Sequence, residues 1–210
     1  MAKCKRRLLE SKSRLPRWRI FPMRFFPTTL ACFCLLAVSS TFVMAQAPAA
    51  PAVGSKVPPA AVYGKLMSGM EKELVDAAET MPEDKYDFAP TAGEFKGART
   101  FGGQIKHIAE ANYYFFGGPD FSEEQDKVMS ASIEKLKTKA EIVKALKDSF
   151  VKAHAFVDGI TAENAFVMTK NGTPGGMAAF GIAHFMDHYG QIVEYLRMNG
   201  IVPPASRGGM

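Results

Sequence analysis

The chain has 210 residues, with 26 Lys and Arg against 21 Asp and Glu, four His, three Cys and one Trp. Its first 47 residues hold nine of the basic residues, one acid (Glu10), every Cys (Cys4, Cys32, Cys34) and Trp18, so the remainder carries 17 basic against 20 acidic residues, a net charge of −3. The basic balance therefore belongs to the N-terminus, and without a surplus of Lys and Arg beyond it DNA and RNA are excluded as expected partners.

The N-terminal pattern is that of an export signal. Basic residues run up to Arg24, Phe25 to Ala45 is uncharged with an apolar heart at Leu30–Val38, and the small-x-small triplets Val43-Met44-Ala45 and Ala45-Gln46-Ala47 follow. Charged, then apolar, then small is the order of a secretory signal peptide, here residues 1–45 with cleavage after Ala45 or Ala47. Translation starts at Met1 or at Met23, which would give a signal of ordinary length. The alternative is an uncleaved anchor, since the uncharged run approaches the ~20 residues that span a bilayer; membrane contact is expected only through this segment. The expected location is the periplasm or outside the cell. Cleavage removes all three Cys and leaves 163 or 165 residues without a disulfide or a thiolate, which must stand on a hydrophobic core. Residues 46–58, rich in Ala and Pro, read as a disordered or extended linker.

From Pro59 the apolar residues recur at helical spacing. Val62, Leu66, Met70, Leu74 and Ala78 mark a first helix to about Met81, which Pro82 stops. Glu83–Lys96 holds Tyr86, Phe88 and Pro90 without a sustained period and reads as an ordered loop whose aromatics pack on the helices. Thr100 is an N-cap for a second helix, 100–116, striped by Phe101, Ile105, Ile108, Ala109, Asn112 and Phe115 and ended by Gly117-Gly118-Pro119. Residues 120–138 are polar and predict at most a brief helix. Thr138-Lys139-Ala140-Glu141 is a capping box for a third helix, 139–158, with Ile142, Leu146, Phe150, Ala153 and Val157 inward. Thr173-Pro174 opens a fourth, 174–199, closed by Asn199-Gly200. No segment alternates like a half-buried strand. The expected class is all-α, an antiparallel or crossover four-helix bundle over residues 59–206.

Chemistry concentrates in histidine. His184 and His188 lie four residues apart on the fourth helix, so both rings share one face and can reach one metal ion. The segment lacks the Glu that follows the first His in zincin proteases, so that chemistry is not implied. His107 lies within the second helix. If the second and fourth helices are neighbours, the three imidazoles form a site with an open coordination position, the layout of a catalytic metal centre; the alternative is a capped or surface His pair. His154, alone between polar neighbours, reads as structural or exposed. Gln191 continues the His184/His188 face by one turn and is a candidate to orient substrate or water. Asp187 and Glu110 read as solvated helix charges rather than partners of the imidazoles, and Tyr113, Tyr114, Phe115 and Phe116 as core.

The segments Arg99–Asn112 and His184–Pro204, the latter opening His184-Phe185-Met186-Asp187-His188-Tyr189-Gly190-Gln191, resemble the DinB-like (DinB/YfiT) superfamily of metal-binding four-helix bundles. The resemblance extends over roughly Ala60–Ser206 and implies a metal triad of one His on the second helix and His-x-x-x-His on the last, here His107, His184 and His188. It also implies a divalent metal cofactor, for which imidazole suits Zn, Ni, Fe and Cu, and admits a homodimer. It supplies no single reaction, because the superfamily includes proteins similar to thiol-dependent S-transferases and others similar to metal-dependent hydrolases. Export weighs against thiol transfer, since small thiols are kept reduced in the cytosol. The expected function is a metal-dependent hydrolase acting on a small molecule through an activated water. The alternatives are a non-catalytic metal-binding or interaction module and a thiol-dependent transferase.

Overall fold

The computed structural model describes residues 50–118 and 121–208. The expected signal peptide, both expected cleavage points and the start of the expected linker lie outside them. Residues 50–58 are exposed and contain only a turn, in which the Ser55 N–H donates to the Ala52 carbonyl at 3.0 Å.

Five α-helices follow: α1 (Pro59–Thr80), α2 (Phe101–Phe116), α3 (Glu123–Glu134), α4 (Lys139–Asp158) and α5 (Pro174–Met198), with short 3-10 turns at Glu83–Lys85 and Pro204–Ser206. Among the described residues there is no strand. The expected caps are in place. Thr100 accepts from Gly103 N–H, Thr173 from Gly176 N–H, and Thr138 and Glu141 form the reciprocal box at the start of α4.

Among the described residues the helix count is five rather than four. Ser122 and Gln125 make a second capping box, and Glu123, Glu124 and Asp126 place negative charge in the first turn, where the helix dipole favours it. These local terms sustain 12 residues of helix although only Ile133 is buried, so α3 lies against α2 outside the four-helix core.

In that core α4 packs on α1 and α2, and α5 packs on the same two, so α1 faces α2 across one diagonal and α4 faces α5 across the other. Contacts fix the directions. Tyr195 Oη donates to the Arg99 carbonyl at 3.0 Å while the ring of Phe116 sits on Gly181, so α2 and α5 are antiparallel. Asn112 Nδ2 donates to Ser149 Oγ at 2.8 Å and Phe116 packs on Phe156, so α2 and α4 are parallel. Lys139 Nζ donates to the carbonyls of Glu79 and Met81, both at 2.7 Å, and His154 meets Glu71 at 2.7 Å, so α4 runs against α1. This is the crossover form of the bundle. His154 is thereby a tie between α1 and α4.

The stripe predicted for α4 is buried throughout and that of α2 is buried except for the half-buried Phe115, whereas that of α1 is corrected. Val62 and Leu66 are exposed, and the buried face is Met67, Met70, Leu74, Ala77 and Ala78. A strict spacing of four advances about 400° rather than a full turn of 360°, so such a stripe slews by roughly 40° each step and leaves the core face. The loop aromatics pack as expected. Tyr86 is buried on Phe101 and donates its hydroxyl to the Ala78 carbonyl at 2.7 Å, and Phe88 lies edge-on to Tyr195.

Gly181 on α5 makes room for the Phe116 ring of α2, because a Cβ there would lie 2.4 Å from Phe116 Cζ. Replacing a helical Gly by Ala normally favours the helix by about 0.5–1 kcal/mol. Here Gly181→Ala is expected to lower stability by about 1–3 kcal/mol, the cost of overpacking, and Phe116→Leu in the same chain to recover part of it. Thermal unfolding checks this, and a raised midpoint for Gly181→Ala would contradict the packing.

Candidate metal centre

The first turn of α2 is anchored by the preceding loop. The N–H groups of Phe101 and Gly102 donate to the carbonyls of Phe88 and Tyr86, both at 2.8 Å, and a side chain at Gly102 would press on Tyr86. This fixes the rotation of α2 and aims His107 at α5. Because α5 runs in the opposite direction against the same face, His184 and His188 meet His107 from the other side.

The three imidazoles converge through one kind of atom. His184 Nε2 lies 3.3 Å from His107 Nε2 and 3.0 Å from His188 Nε2. Two nitrogens each ~2.1 Å from one tetrahedral ion stand roughly 3.4 Å apart, so the cluster fits a shared cation. Without one, lone pairs would face each other, since a single proton can bridge only one of the two short contacts. His188 is buried, with 6% of its surface exposed, while the His107 side chain is 27% exposed, so the cluster opens at the His107 side.

The rings are neutral at pH 7. Burial lowers the pKa of all three, with His107 and His188 depressed to about 4. The Arg99 guanidinium adds to the depression of His107, and the neighbouring imidazoles add to that of His188. Neutral imidazole is the form that ligates metals.

A chain of amides holds the innermost ring. Gln104, on α2 and 3% exposed, receives His188 Nδ1 at its Oε1 at 2.9 Å. An amide oxygen only accepts, so Nδ1 carries the proton and Nε2 presents its lone pair to the cluster. Gln104 Nε2 donates to Gln191 Oε1 at 2.7 Å, and Gln191 Nε2 donates to Asp187 Oδ2 at 3.3 Å. Gln104 is a site residue that helix periodicity and capping in the sequence do not mark. Gln191 sits beside the cluster and bonds to Gln104 rather than to an imidazole.

Of the two carboxylates read as solvated, Asp187 is exposed as expected and Glu110 is not. Asp187 ends the amide chain. Glu110 lies 4.0 Å from His107 Nδ1 with its side chain only 16% exposed. Burial first, then the nearby Glu134, raises its pKa to about 7. His184 Nδ1 is buried without a partner. The aromatic run also divides: Phe116 is core and Tyr114 is exposed, whereas Phe115 packs edge-on to both His184 and Phe180, with centroids at 5.2 and 5.3 Å, and walls the site.

Replacing Gln104 by Leu removes the acceptor that fixes the His188 tautomer. Gln104→Leu is expected to weaken zinc binding by about 10–100-fold, and Gln104→Glu, which keeps an acceptor, to retain most of it. Competition against a chromogenic chelator measures this. Equal affinity for Gln104→Leu and the parent would refute the role given to the amide.

Comparison with known proteins agrees with this arrangement. No curated protein matches the chain. A family model described as the DinB superfamily matches residues 67–192, a span that includes His107, His184, His188 and Gln191. On that match and on an all-helical fold that brings the three histidines together, the chain belongs to the DinB superfamily.

Proposed function

We propose that this chain is an exported hydrolase that holds one divalent metal ion through His107, His184 and His188 and acts on a small-molecule ester or amide. The observation that carries the reading is the convergence of three neutral imidazole nitrogens, 3.0 and 3.3 Å apart, between α2 and α5 with His107 partly exposed. A divalent ion bound by neutral ligands keeps its full charge and supplies Lewis acidity, lowering the pKa of a water and polarising a substrate oxygen. The remaining work falls to the protein. Gln104 keeps His188 in the ligating tautomer, Phe115 covers His184 against bulk water, and Gln191, bonded through its oxygen to Gln104, retains a second amide N–H to direct a substrate. Cleavage after Ala45 or Ala47 would leave a mature chain without cysteine in a compartment poor in small reduced thiols, which favours water over a thiol as the nucleophile.

The test is turnover by the mature chain, beginning at Gln46, loaded with zinc or nickel and offered chromogenic esters, amides and a thiol-transfer pair. The expected outcome is ester or amide hydrolysis that a chelator abolishes, added metal restores, and His188→Ala lowers roughly 100-fold or more. Thiol-dependent turnover without hydrolysis would contradict the reading.

A further inference from the structure

A cavity of about 490 Å³ lies beside the cluster, walled by the loop before α2 and the C-terminal half of α5. It lies within the range of small-ligand sites. Its inner wall is the Gln104–Gln191 pair that holds His188, so whatever occupies it touches the support of the metal centre. Its outer wall is apolar, with Pro90, Phe95, Tyr195 and Met198.

The polar groups of this cavity are mostly donors. Arg99 lines it and has no carboxylate within ion-pair distance among the described residues. The stem of Arg99 crosses Gly103: a Cβ at Gly103 would lie 3.4 Å from Arg99 Cβ and 4.0 Å from its Cγ. Gly103 thus leaves room for the stem of Arg99 at the first turn of α2. Gln104 and Gln191 each use one amide N–H on a protein acceptor and have a second to offer. The one carboxylate in the wall, Glu194, is engaged by Arg197 at 2.9 Å. The N-terminus of α2 competes for no anion, because the N–H groups of Phe101, Gly102 and Gly103 are bonded to Phe88, Tyr86 and Thr100.

Donors without an acceptor, one free guanidinium and an apolar wall describe a ligand with a single negative charge on a hydrophobic body. We propose that this cavity binds an organic monocarboxylate, its carboxylate held by Arg99 and its apolar part lying against Phe95, Tyr195 and Met198. Arg99 is the one Lys or Arg in the wall, so a second negative charge would have no cation to meet, which is the reason to prefer a carboxylate over a phosphate dianion. This rests on the proposed function in one respect: if the chain is a hydrolase, its substrates are esters or amides that bear such a carboxylate. The anion site itself stands without the metal.

Nuclear magnetic resonance titration of the metal-free mature chain tests it, with phenylacetate and the uncharged phenylacetamide as probes, so that carboxylate binding to a metal cannot contribute. Phenylacetate is expected to shift the amide resonances of Phe95, Arg99, Gln191 and Met198 and to bind roughly tenfold or more tightly than phenylacetamide, the ratio expected of a charge-assisted bidentate pair. Arg99→Leu should abolish that preference and Arg99→Lys keep part of it, with unchanged circular dichroism as the control for folding. Inorganic phosphate should bind more weakly than phenylacetate. Equal binding of the two probes, an unchanged preference in Arg99→Leu, or tighter binding of phosphate would overturn the proposal. Zinc uptake is measured on the same samples: uptake without a charge preference overturns the anion site alone, and a charge preference without uptake overturns the metal-dependent reading alone.

Discussion

The site depends on the close antiparallel contact between α2 and α5. Gly181 admits the ring of Phe116, and that approach sets the distance at which the middle of α5 faces the first turns of α2. One end of the contact is pinned by Tyr195 on the Arg99 carbonyl, and the amide pair Gln104–Gln191 spans it between that end and the imidazoles. A small change in this separation would part nitrogens that now lie 3.0 and 3.3 Å from each other. Tight packing in the core is thus what makes the polar cluster possible.

The cluster in turn constrains its surroundings. Three imidazoles brought together at these distances must stay neutral, and burial secures this by depressing their pKa values. Neutrality alone does not fix which ring nitrogen faces inward. For His188 the buried amide of Gln104 does so, and Gln104 is oriented by Gln191 and Asp187. A chain that ends on a carboxylate has a defined direction, because each amide donates outward and accepts from within. The same amides form the wall of the neighbouring cavity, so support of the centre and recognition of a ligand are built from shared groups.

Much of the fold was legible locally. The boundaries of α2, α4 and α5 followed from Thr100, the Thr138–Glu141 box and Thr173-Pro174, because capping is a short-range effect written within four residues. The same chemistry at Ser122 and Gln125 was present in the sequence, but α3 buries only Ile133, so its weak apolar pattern hid it. The face of α1 was misread where apolar residues at exact fours drift around the helix, leaving Val62 and Leu66 in solvent. Of the candidate site, His184 and His188 were visible as a helical pair, and His107 joined them on the condition that the second and fourth helices are neighbours, and again through the family resemblance. Gln104 was not visible as a site residue, because its partners lie 84 and 87 positions away and only the crossover topology brings them together. Glu110 and Phe115 were missed for the same reason: burial beside an imidazole is a tertiary property that helix periodicity does not carry.

The central claim is that His107, His184 and His188 act as one metal site. Metal content per chain, measured by plasma mass spectrometry on residues 46–210 purified without a His tag, tests it most directly when compared with a His184→Ala/His188→Ala variant. The account predicts close to one divalent ion per chain in the parent and none in the variant, with the helical circular dichroism of both intact. No metal in the parent, even after incubation with zinc or nickel, would contradict it and leave a helical module whose histidines merely pack together.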